Sequence, residues 1–239
     1  MSYALTFDGH DIGASYAVER HVTRQLGNWE PSLMDVPGRD GAAFAGTRRL
    51  PVELTFDIYA TEDTREGRQA SMRRLASWLA VDAPKPLYLG DEGDLYRLAL
   101  PTSTSDQEAS LDSDHVGVAF TCPDPRLVGP SHELAITSGA DFEVLGTAPT
   151  GPTITATGAT NGAGGYWRAT DEAGNAIHVV LAAGSHTIVA DCESRTLKVD
   201  GTVTALHPAY DWMEWAPGTH ALTIVGGGTV SVAYSERWW

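Results

Sequence analysis

The sequence predicts a mainly β protein with two domains, the first built around one helix and the second a sandwich of short strands. Residues 50–59 alternate apolar and polar side chains, a pattern typical of a strand with one buried and one solvated face. Residues 64–80 instead carry apolar side chains at helical spacing. Beyond residue 130 the chain is poor in charge and rich in Gly, Thr and Ala, which favours short strands joined by tight turns.

A proline-rich segment at residues 122–130 divides the chain. Its sequence is Cys-Pro-Asp-Pro-Arg-Leu-Val-Gly-Pro, and the three prolines argue against a regular helix or a central strand. Twelve of the sixteen Lys and Arg residues and twenty of the thirty-one Asp and Glu residues lie at or before residue 130. We therefore expect an N-terminal domain at residues 1–130 and a C-terminal domain at residues 131–239.

The first domain is expected to contain strands around a single helix. Asp63 is the expected N-cap of that helix, and Glu66 three residues later completes the pattern of a capping box. Met72, Leu75 and Leu79 fall on one face of the helix. The strands are expected at residues 5–7, 16–20, 32–36, 50–59, 87–89, 96–100 and 116–122.

The second domain is expected to be almost entirely β. Glycine-containing turns separate its extended runs, and Asp200-Gly201 joins two of them in a hairpin. The strands are expected at residues 142–145, 153–157, 177–181, 185–191, 196–199, 221–225 and 229–234.

The charge of the chain restricts its partners. A formal net charge of −15 disfavours binding to nucleic acid or anionic lipid, because both partners need Lys and Arg to displace counterions. No apolar run approaches the roughly 20 residues of a membrane helix. The first residues lack the basic and apolar regions of a secretory leader. We expect cytoplasmic synthesis, with no membrane partner and no specific nucleic-acid partner.

Motifs for catalysis and metal binding are missing from the sequence. It has no nucleophile elbow, no phosphate-binding loop and no Cys-x-x-Cys, and its eight histidines are scattered. The sequence therefore predicts no enzyme activity, no cofactor and no metal. Cys122 and Cys192 are expected to be buried free thiols.

A turn-rich segment at residues 36–49 is the most informative part of the chain. It combines Pro-Gly and Asp-Gly turn signals with three arginines between two extended runs, which predicts a hairpin. We interpret it as an element that extends from the first domain to a neighbouring subunit, where its arginines pair with acidic groups. The candidate interface residues are Pro37, Gly38, Arg39, Asp40, Gly41, Arg48 and Arg49.

Aromatic residues in the second domain allow two interpretations. Exposed Trp and Tyr rings can stack on sugars, whereas buried ones pack in a core or a subunit interface. The terminal Trp238-Trp239 pair is expected to be covered, because two exposed indoles would form a sticky patch. The candidates for stacking on carbohydrate are Trp167, Tyr210, Trp212 and Trp215.

Taken in order along nearly the full length, several motifs resemble the distal tail proteins of siphovirus-type phages, which have long non-contractile tails. In the first domain they are Val-Pro-Gly-Arg-Asp-Gly at residues 36–41, Gly-Thr-Arg at 46–48, the helix end at 74–79 and Phe-Thr-Cys-Pro-Asp-Pro at 120–125. In the second they are the stretches at residues 188–201, 217–224 and 234–239.

This resemblance implies a fold and a place in the virion. It implies a tail-tube-like N-terminal β-barrel or sandwich domain that forms a hexameric ring, and a galectin-like C-terminal β-sandwich outside the ring. The ring would lie at the tail tip and join the tail tube protein to the tail-associated hub or fibre protein. A contact with the tape measure protein and a weak contact with cell-wall glycan are compatible with that position. The sequence shows no inserted receptor-binding domain.

The residues themselves leave two other functions open. The chain could be a carbohydrate-binding module for host adhesion, in which the C-terminal sandwich binds glycan through its aromatic residues. It could also be a wall-degrading hydrolase, which needs two carboxylates that face each other across a cleft. We favour a structural hub without covalent chemistry, which functions through self-association and docking.

Overall fold

Strands form most of the regular structure of this protein. The computed structural model describes residues 3–21, 29–38, 40–105, 108–109 and 114–239. The chain divides into two compact units, Met1–Val128 together with Trp239, and Gly129–Trp238. Each unit has its own hydrophobic core. The prediction of a mainly β chain is confirmed.

The first unit contains two helices and ten strands within the described ranges. In chain order they are β1 (Leu5–Phe7), β2 (His10–Asp11), α1 (Ile12–Ser15), β3 (Ala17–Arg20), β4 (Trp29–Asp35), β5 (Ala42–Arg49), β6 (Val52–Ala60), α2 (Arg65–Leu79), β7 (Lys85–Leu89), β8 (Tyr96–Thr104), β9 (Glu108–Ala109) and β10 (Asp114–Cys122).

A curled antiparallel sheet surrounds the core of the first unit. Strands β6 and β10 pair along their whole lengths, and β3 pairs with the other edge of β6. On the far side β10 pairs with β8, β8 with β7, and β7 with β1. The backbone N–H of Tyr3 donates to the carbonyl of Val18 at 3.0 Å, which brings the start of the first strand to β3. The sheet therefore nearly closes on itself.

Alternation along β6 decides which residues fill this core. Val52, Leu54, Phe56 and Ile58 are buried, whereas the residues between them remain exposed or half-exposed. The ring of Phe56 packs against that of Phe120 on β10, with a centroid separation of 6.0 Å. The strand predicted at residues 50–59 thus forms the inner wall of the sheet.

The two helices differ in how well the sequence predicts them. Helix α2 matches the predicted helix at 64–80, but its N-cap is Thr64 and not Asp63, since the Thr64 hydroxyl accepts from the Gly67 N–H at 3.1 Å. Helix α1 was not predicted, because four residues are too few to show a helical period. Its N-cap is Asp11, whose carboxylate accepts from the Ala14 N–H. Neither described helix is long and apolar enough to cross a membrane.

A buried ion pair joins α2 to the sheet. The Nε of Arg68 lies 3.4 Å from the carboxylate of Asp114 at the start of β10, and both side chains are almost fully buried. Arg68 also donates to the backbone carbonyl of Glu62 at 3.1 Å. The pair fixes the position of the helix relative to the β6–β10 ladder.

The remaining strands form the second unit. They are β11 (Leu127–Ile136), β12 (Asp141–Val144), β13 (Thr153–Thr160), β14 (Trp167–Thr170), β15 (Ala176–Val179), β16 (His186–Asp191), β17 (Thr196–Val199), β18 (Thr202–Thr204), β19 (Gly218–Ala221), β20 (Thr223–Val225) and β21 (Gly227–Trp238). Strand β11 begins inside the proline-rich segment, where we expected no central strand. It includes the exposed Pro130, which fits its place as the last strand of the sheet within this unit.

Two sheets enclose the core of the second unit. One has the strand order β18-β17-β16-β13-β21-β11, and the other the order β15-β14-β20. Ile154 and Ile188 from the first sheet and Trp167 and Ile177 from the second are all fully buried. The unit is thus a sandwich in which each sheet contributes its alternate residues.

We expect the Arg68–Asp114 pair to be essential for the stability of the first unit. Asp114→Ala should lower the free energy of unfolding by about 3 kcal/mol, because it removes the carboxylate of a buried ion pair and leaves the Arg68 charge in the interior. Urea unfolding measures the loss, and hydrogen exchange of β6 and β10 assigns it to the first unit. The matched control is Asp94→Ala, at an exposed carboxylate. The double variant Arg68→Met with Asp114→Leu replaces both partners by apolar residues. It should lower the free energy of unfolding by less than Asp114→Ala does. An equal loss would contradict this explanation.

The two thiols are expected to be unreactive in the folded protein. Burial raises the pKa of Cys122 to about 11 and that of Cys192 to about 12, so both remain protonated at pH 8. A thiol-reactive dye should label neither in the native state and both after unfolding in guanidinium. Asp94→Cys, which places a thiol on the surface, provides the positive control. Rapid native labelling of Cys122 or Cys192 would contradict the prediction.

Candidate assembly interface

The turn-rich segment of the sequence forms a two-stranded ribbon separate from the other sheets. Strands β4 and β5 pair with each other from Trp29↔Arg49 to Asp35↔Ala42, and they have no other strand neighbour among the described residues. Nearly all of the ribbon is exposed to solvent. We call this element the β4–β5 hairpin. An isolated two-stranded hairpin has at best marginal stability in water.

Glycine conformations shape the tip of the β4–β5 hairpin. Gly38 has φ +78° and Gly41 has φ +80°, values that other residues adopt only with strain. A Cβ atom on either would meet nothing within 4 Å, so the backbone angle and not the available space requires glycine there. Pro37 followed by Gly38 with positive φ is the sequence pattern of a type II turn. The predicted hairpin turn is therefore present.

One face of the β4–β5 hairpin is apolar. Leu33 lies directly opposite Phe44, and Trp29 and Pro31 follow on the same side of β4, because alternate residues of a strand share a face. Leu33 is 62% exposed and Phe44 is 67% exposed. Met34 is also exposed but lies on the opposite face. Large apolar side chains on a ribbon without a core indicate a surface that another molecule covers.

Aromatic rings flank an arginine at the base of the β4–β5 hairpin. The guanidinium carbon of Arg49 lies 3.3 Å from the ring centroid of Trp239 and 5.0 Å from that of Trp29. This places a cation against two indole rings, an arrangement that favours a fixed geometry. Trp239 clusters with the first unit but is about half exposed, so the expected cover of the terminal indoles is incomplete at Trp239 in the single chain.

A recess of about 670 Å³ lies beside the base of the β4–β5 hairpin. Ion pairs Arg20–Asp91, at 3.0 Å, and Arg97–Glu92, at 2.6 Å, line part of it. The remaining lining residues are Trp29, Arg49, Val52, Leu54, Leu95, Leu127 and Trp239. The recess is thus mixed in character, with apolar walls and charged groups that are already paired.

The predicted interface residues have different surroundings. Arg48 pairs with Glu30 across the hairpin at 2.5 Å and remains largely exposed. Arg49 contacts the two indoles described above. Asp40 is exposed near the tip. Arg39 lies outside the described residues. The prediction that these arginines pair with acids of a neighbour stays a prediction.

The apolar residues of the β4–β5 hairpin were missed by sequence reasoning. Trp29, Leu33, Met34 and Phe44 read as ordinary strand residues of a half-buried sheet. A signal was nevertheless available, since apolar residues on both strands flank a turn with two glycines. What the sequence does not show is that, in the part of the chain that the structure describes, no second layer covers them.

The four aromatic residues proposed to bind carbohydrate divide into two pairs. Trp167 and Trp215 are fully buried in the core of the second unit, where protein atoms occupy their ring faces. Tyr210 and Trp212 are half-buried. Of the four candidates, only Tyr210 and Trp212 therefore have rings that a sugar could reach. The described residues contain no group of three or more His, Cys, Asp or Glu side chains that could hold a metal ion.

Two family models match the sequence, one for each part of the chain. The model of the phage tail protein RIFT-related domain matches residues 13–122. The model of the siphovirus-type tail component, C-terminal domain, matches residues 145–238. A comparison with curated proteins found no match.

Solved structures of phage tail proteins have a similar fold. The crystal structure of the Dit protein (gp 19.1) of phage SPP1, described as a paradigm of the hub adsorption apparatus in phages that infect Gram-positive bacteria, matches with a TM-score of 0.79. The match covers all of both chains at 18% identity. A chain of the phage P2 baseplate in its activated conformation with Ca matches with a TM-score of 0.52, 10% identity and 98% coverage of each chain. A chain of the form with Sr matches with a TM-score of 0.54, 10% identity and 97% coverage of each chain.

We expect Arg49 to hold the base of the β4–β5 hairpin through its contacts with the indoles. Arg49→Met should lower the free energy of unfolding by about 1 kcal/mol, because it removes the cation and keeps most of the side-chain length. Urea unfolding measures the change, and the near-UV circular dichroism of the tryptophans should weaken. The matched control is Arg48→Met, which removes only an exposed ion pair and should change stability by less than about 0.5 kcal/mol. Equal effects of the two substitutions would argue against a special role of Arg49.

Proposed function

Because the chain belongs to the distal tail proteins of siphovirus-type phages and is a structural component of the tail tip, we propose that it forms a hexameric hub ring that joins the tail tube to the tail-associated hub or fibre protein. In this proposal the N-terminal domain, residues 1–130, forms the ring. The C-terminal domain, residues 131–239, is a galectin-like sandwich on the outside of it.

The observation that carries the proposal is the exposed apolar face of the β4–β5 hairpin. Covering the side chain of Leu33 or Phe44 stabilises an assembly by about 1.5–3 kcal/mol each. Neither core of the protein receives these residues. A second copy of the chain is the occupant we propose, because a hub ring needs the same contact at every subunit boundary.

Ring geometry determines what the β4–β5 hairpin must contact. In a closed ring of six subunits every contact is heterologous, so one surface of a subunit meets a different surface of the next. The hairpin therefore docks on another part of the neighbouring subunit and not on the neighbouring hairpin. Arg48, with its exposed guanidinium, can then donate to a second carboxylate from that neighbour in addition to Glu30.

The partners proposed beyond the ring follow from its position. The tail tube protein lies on one side and the tail-associated hub or fibre protein on the other, with the tape measure protein as a further contact. The formal charge of −15 supports a lumen that repels passing DNA and does not retain it. The proposed role is non-enzymatic, and the matching families and structures are tail components.

Adhesion to host carbohydrate remains the second candidate. The observation that favours it is the partial exposure of Tyr210 and Trp212 on the second unit. A weak contact with cell-wall glycan at each subunit would gain strength from six copies on one ring. This role adds to the hub function and does not replace it.

The ring is tested by placing charge on the apolar face of the β4–β5 hairpin. The double variant Leu33→Glu with Phe44→Glu should convert a hexamer into monomers, because burying two carboxylates without partners costs several kcal/mol at each boundary. Native mass spectrometry measures the oligomer, and far-UV circular dichroism verifies folding.

The matched control places the same charge on exposed apolar residues of the second unit. Val180→Glu with Val203→Glu changes side chains that are 74% and 69% exposed, and it should leave the hexamer intact. A Leu33→Glu, Phe44→Glu variant that still forms the hexamer would refute the role of the hairpin. A wild-type chain that stays monomeric at high concentration would refute the ring itself.

A further inference from the structure

The second unit carries a cluster of aromatic and basic side chains on its smaller sheet. Arg168 on β14 lies opposite His178 on β15, and both point away from the sandwich core because their strand neighbours are buried. The ring of His178 lies 4.5 Å from that of Tyr166, 5.4 Å from that of Tyr210 and 5.0 Å from that of His207, measured between centroids. We call these five side chains the Arg168 cluster.

Contacts within the Arg168 cluster hold the guanidinium in place. Arg168 donates to the hydroxyl of Tyr210 at 3.2 Å, and its guanidinium carbon lies 5.3 Å from the ring centroid of Tyr166. Its Nε and the Nδ1 of His178 are both buried and have no hydrogen-bond partner among the described residues. The cluster therefore holds the Arg168 side chain in place, and this Nε is not available to a ligand.

No carboxylate balances the Arg168 cluster in the described structure. Arg168 makes no ion pair there, whereas Arg237 in the same unit pairs with Glu193 at 3.3 Å. The chain as a whole is acidic, with 31 Asp and Glu residues against 16 Lys and Arg. A half-buried arginine next to two histidines is normally accompanied by an acid, since an unpaired charge loses hydration without compensation.

The basic groups of the Arg168 cluster disfavour one another's positive charge. Burial, the neighbouring His207 and the neighbouring Arg168 all lower the pKa of His178 below its usual value. A bound anion would remove this repulsion and stabilise the protonated histidine. The cluster has the composition of an anion site, with a guanidinium that can donate charge-assisted hydrogen bonds and two imidazoles beside it.

We propose that the Arg168 cluster binds the acidic group of a glycan, a sugar that carries a phosphate or a carboxylate. Arg168 binds the anionic oxygens, with His207 at the exposed side. The rings of Tyr166 and Tyr210 contact the apolar surface of the sugar, and their hydroxyls suit its hydroxyl groups. An acidic peptide would satisfy the charge but would not need this concentration of aromatic rings. The inference rests on the second candidate, adhesion to glycan, and adds a ligand class and a site to it. It requires neither the β4–β5 hairpin nor a ring.

Titration of the full-length protein with simple probes tests the site. The probes are glucose 6-phosphate, digalacturonate, glucose as the neutral sugar, inorganic phosphate as the bare anion, and a poly-glutamate peptide. Binding is measured by isothermal calorimetry, and the His178 and His207 ring resonances are followed by NMR. We expect the acidic sugars to bind more tightly than glucose or phosphate, and the pKa of His178 to rise when they bind. The stronger of the two acidic sugars identifies phosphate or carboxylate as the preferred group.

Matched substitutions assign the binding to Arg168. Arg168→Met should weaken the binding of the acidic sugar about tenfold or more, because it removes the charge-assisted hydrogen bonds. Lys198→Met removes an exposed charge from the same unit and should leave binding unchanged. If Arg168→Met disturbs the fold, His207→Gln gives a second test at an exposed position, with a smaller expected loss.

Three outcomes would overturn the proposal. They are equal weakening by Lys198→Met and Arg168→Met, tighter binding of poly-glutamate than of either acidic sugar, and unchanged His178 and His207 resonances at saturating sugar. Repeating the titration with the Leu33→Glu, Phe44→Glu variant separates the two proposals. Its monomers should bind as wild type does, so failure of the ring leaves this site testable, and failure of the site leaves the ring untouched.

Discussion

The antiparallel ladder between β6 and β10 is the constraint on which the rest of the first unit depends. Its register is fixed by burial, because a shift by one residue would move Phe56 and Phe120 from the core to solvent. Only two residues separate the end of β5 at Arg49 from the start of β6 at Val52. Because β3 and β10 occupy the two edges of β6, β5 does not pair with the strand that it precedes.

This separation explains why the core and the proposed assembly surface use different residues. The buried residues of the core of the first unit come from the curled sheet and its helices. The hairpin, by contrast, has paired backbone groups, and within the described structure Leu33 and Phe44 are exposed. A chain built in this way keeps apolar surface that is available to a partner.

Sequence patterns predicted the elements that follow a simple period. The alternation at residues 50–59 and the helical spacing at 64–80 were recovered as β6 and α2, because burial of one face imposes those periods. Patterns failed where burial is not periodic. Strand β14 is short and was missed, and the burial of Trp167 within it depends on the opposite sheet. The exposure of Phe44 likewise depends on whether a second layer packs against β5, and no local sequence pattern shows this.

Each of the two proposed surfaces differs in composition from the part of the protein around it. The β4–β5 hairpin places apolar side chains in solvent, although most large apolar residues of the first unit are buried or half-buried. The Arg168 cluster gathers basic groups without an acid, although the chain is strongly acidic. Neither arrangement helps the isolated chain to fold, and each costs free energy in water. Local departures of this kind mark surfaces shaped by a partner, because contact with it removes the cost. The chemistry of the two departures differs, and so do the two proposed partners: an apolar protein surface for the hairpin and an anion for the cluster.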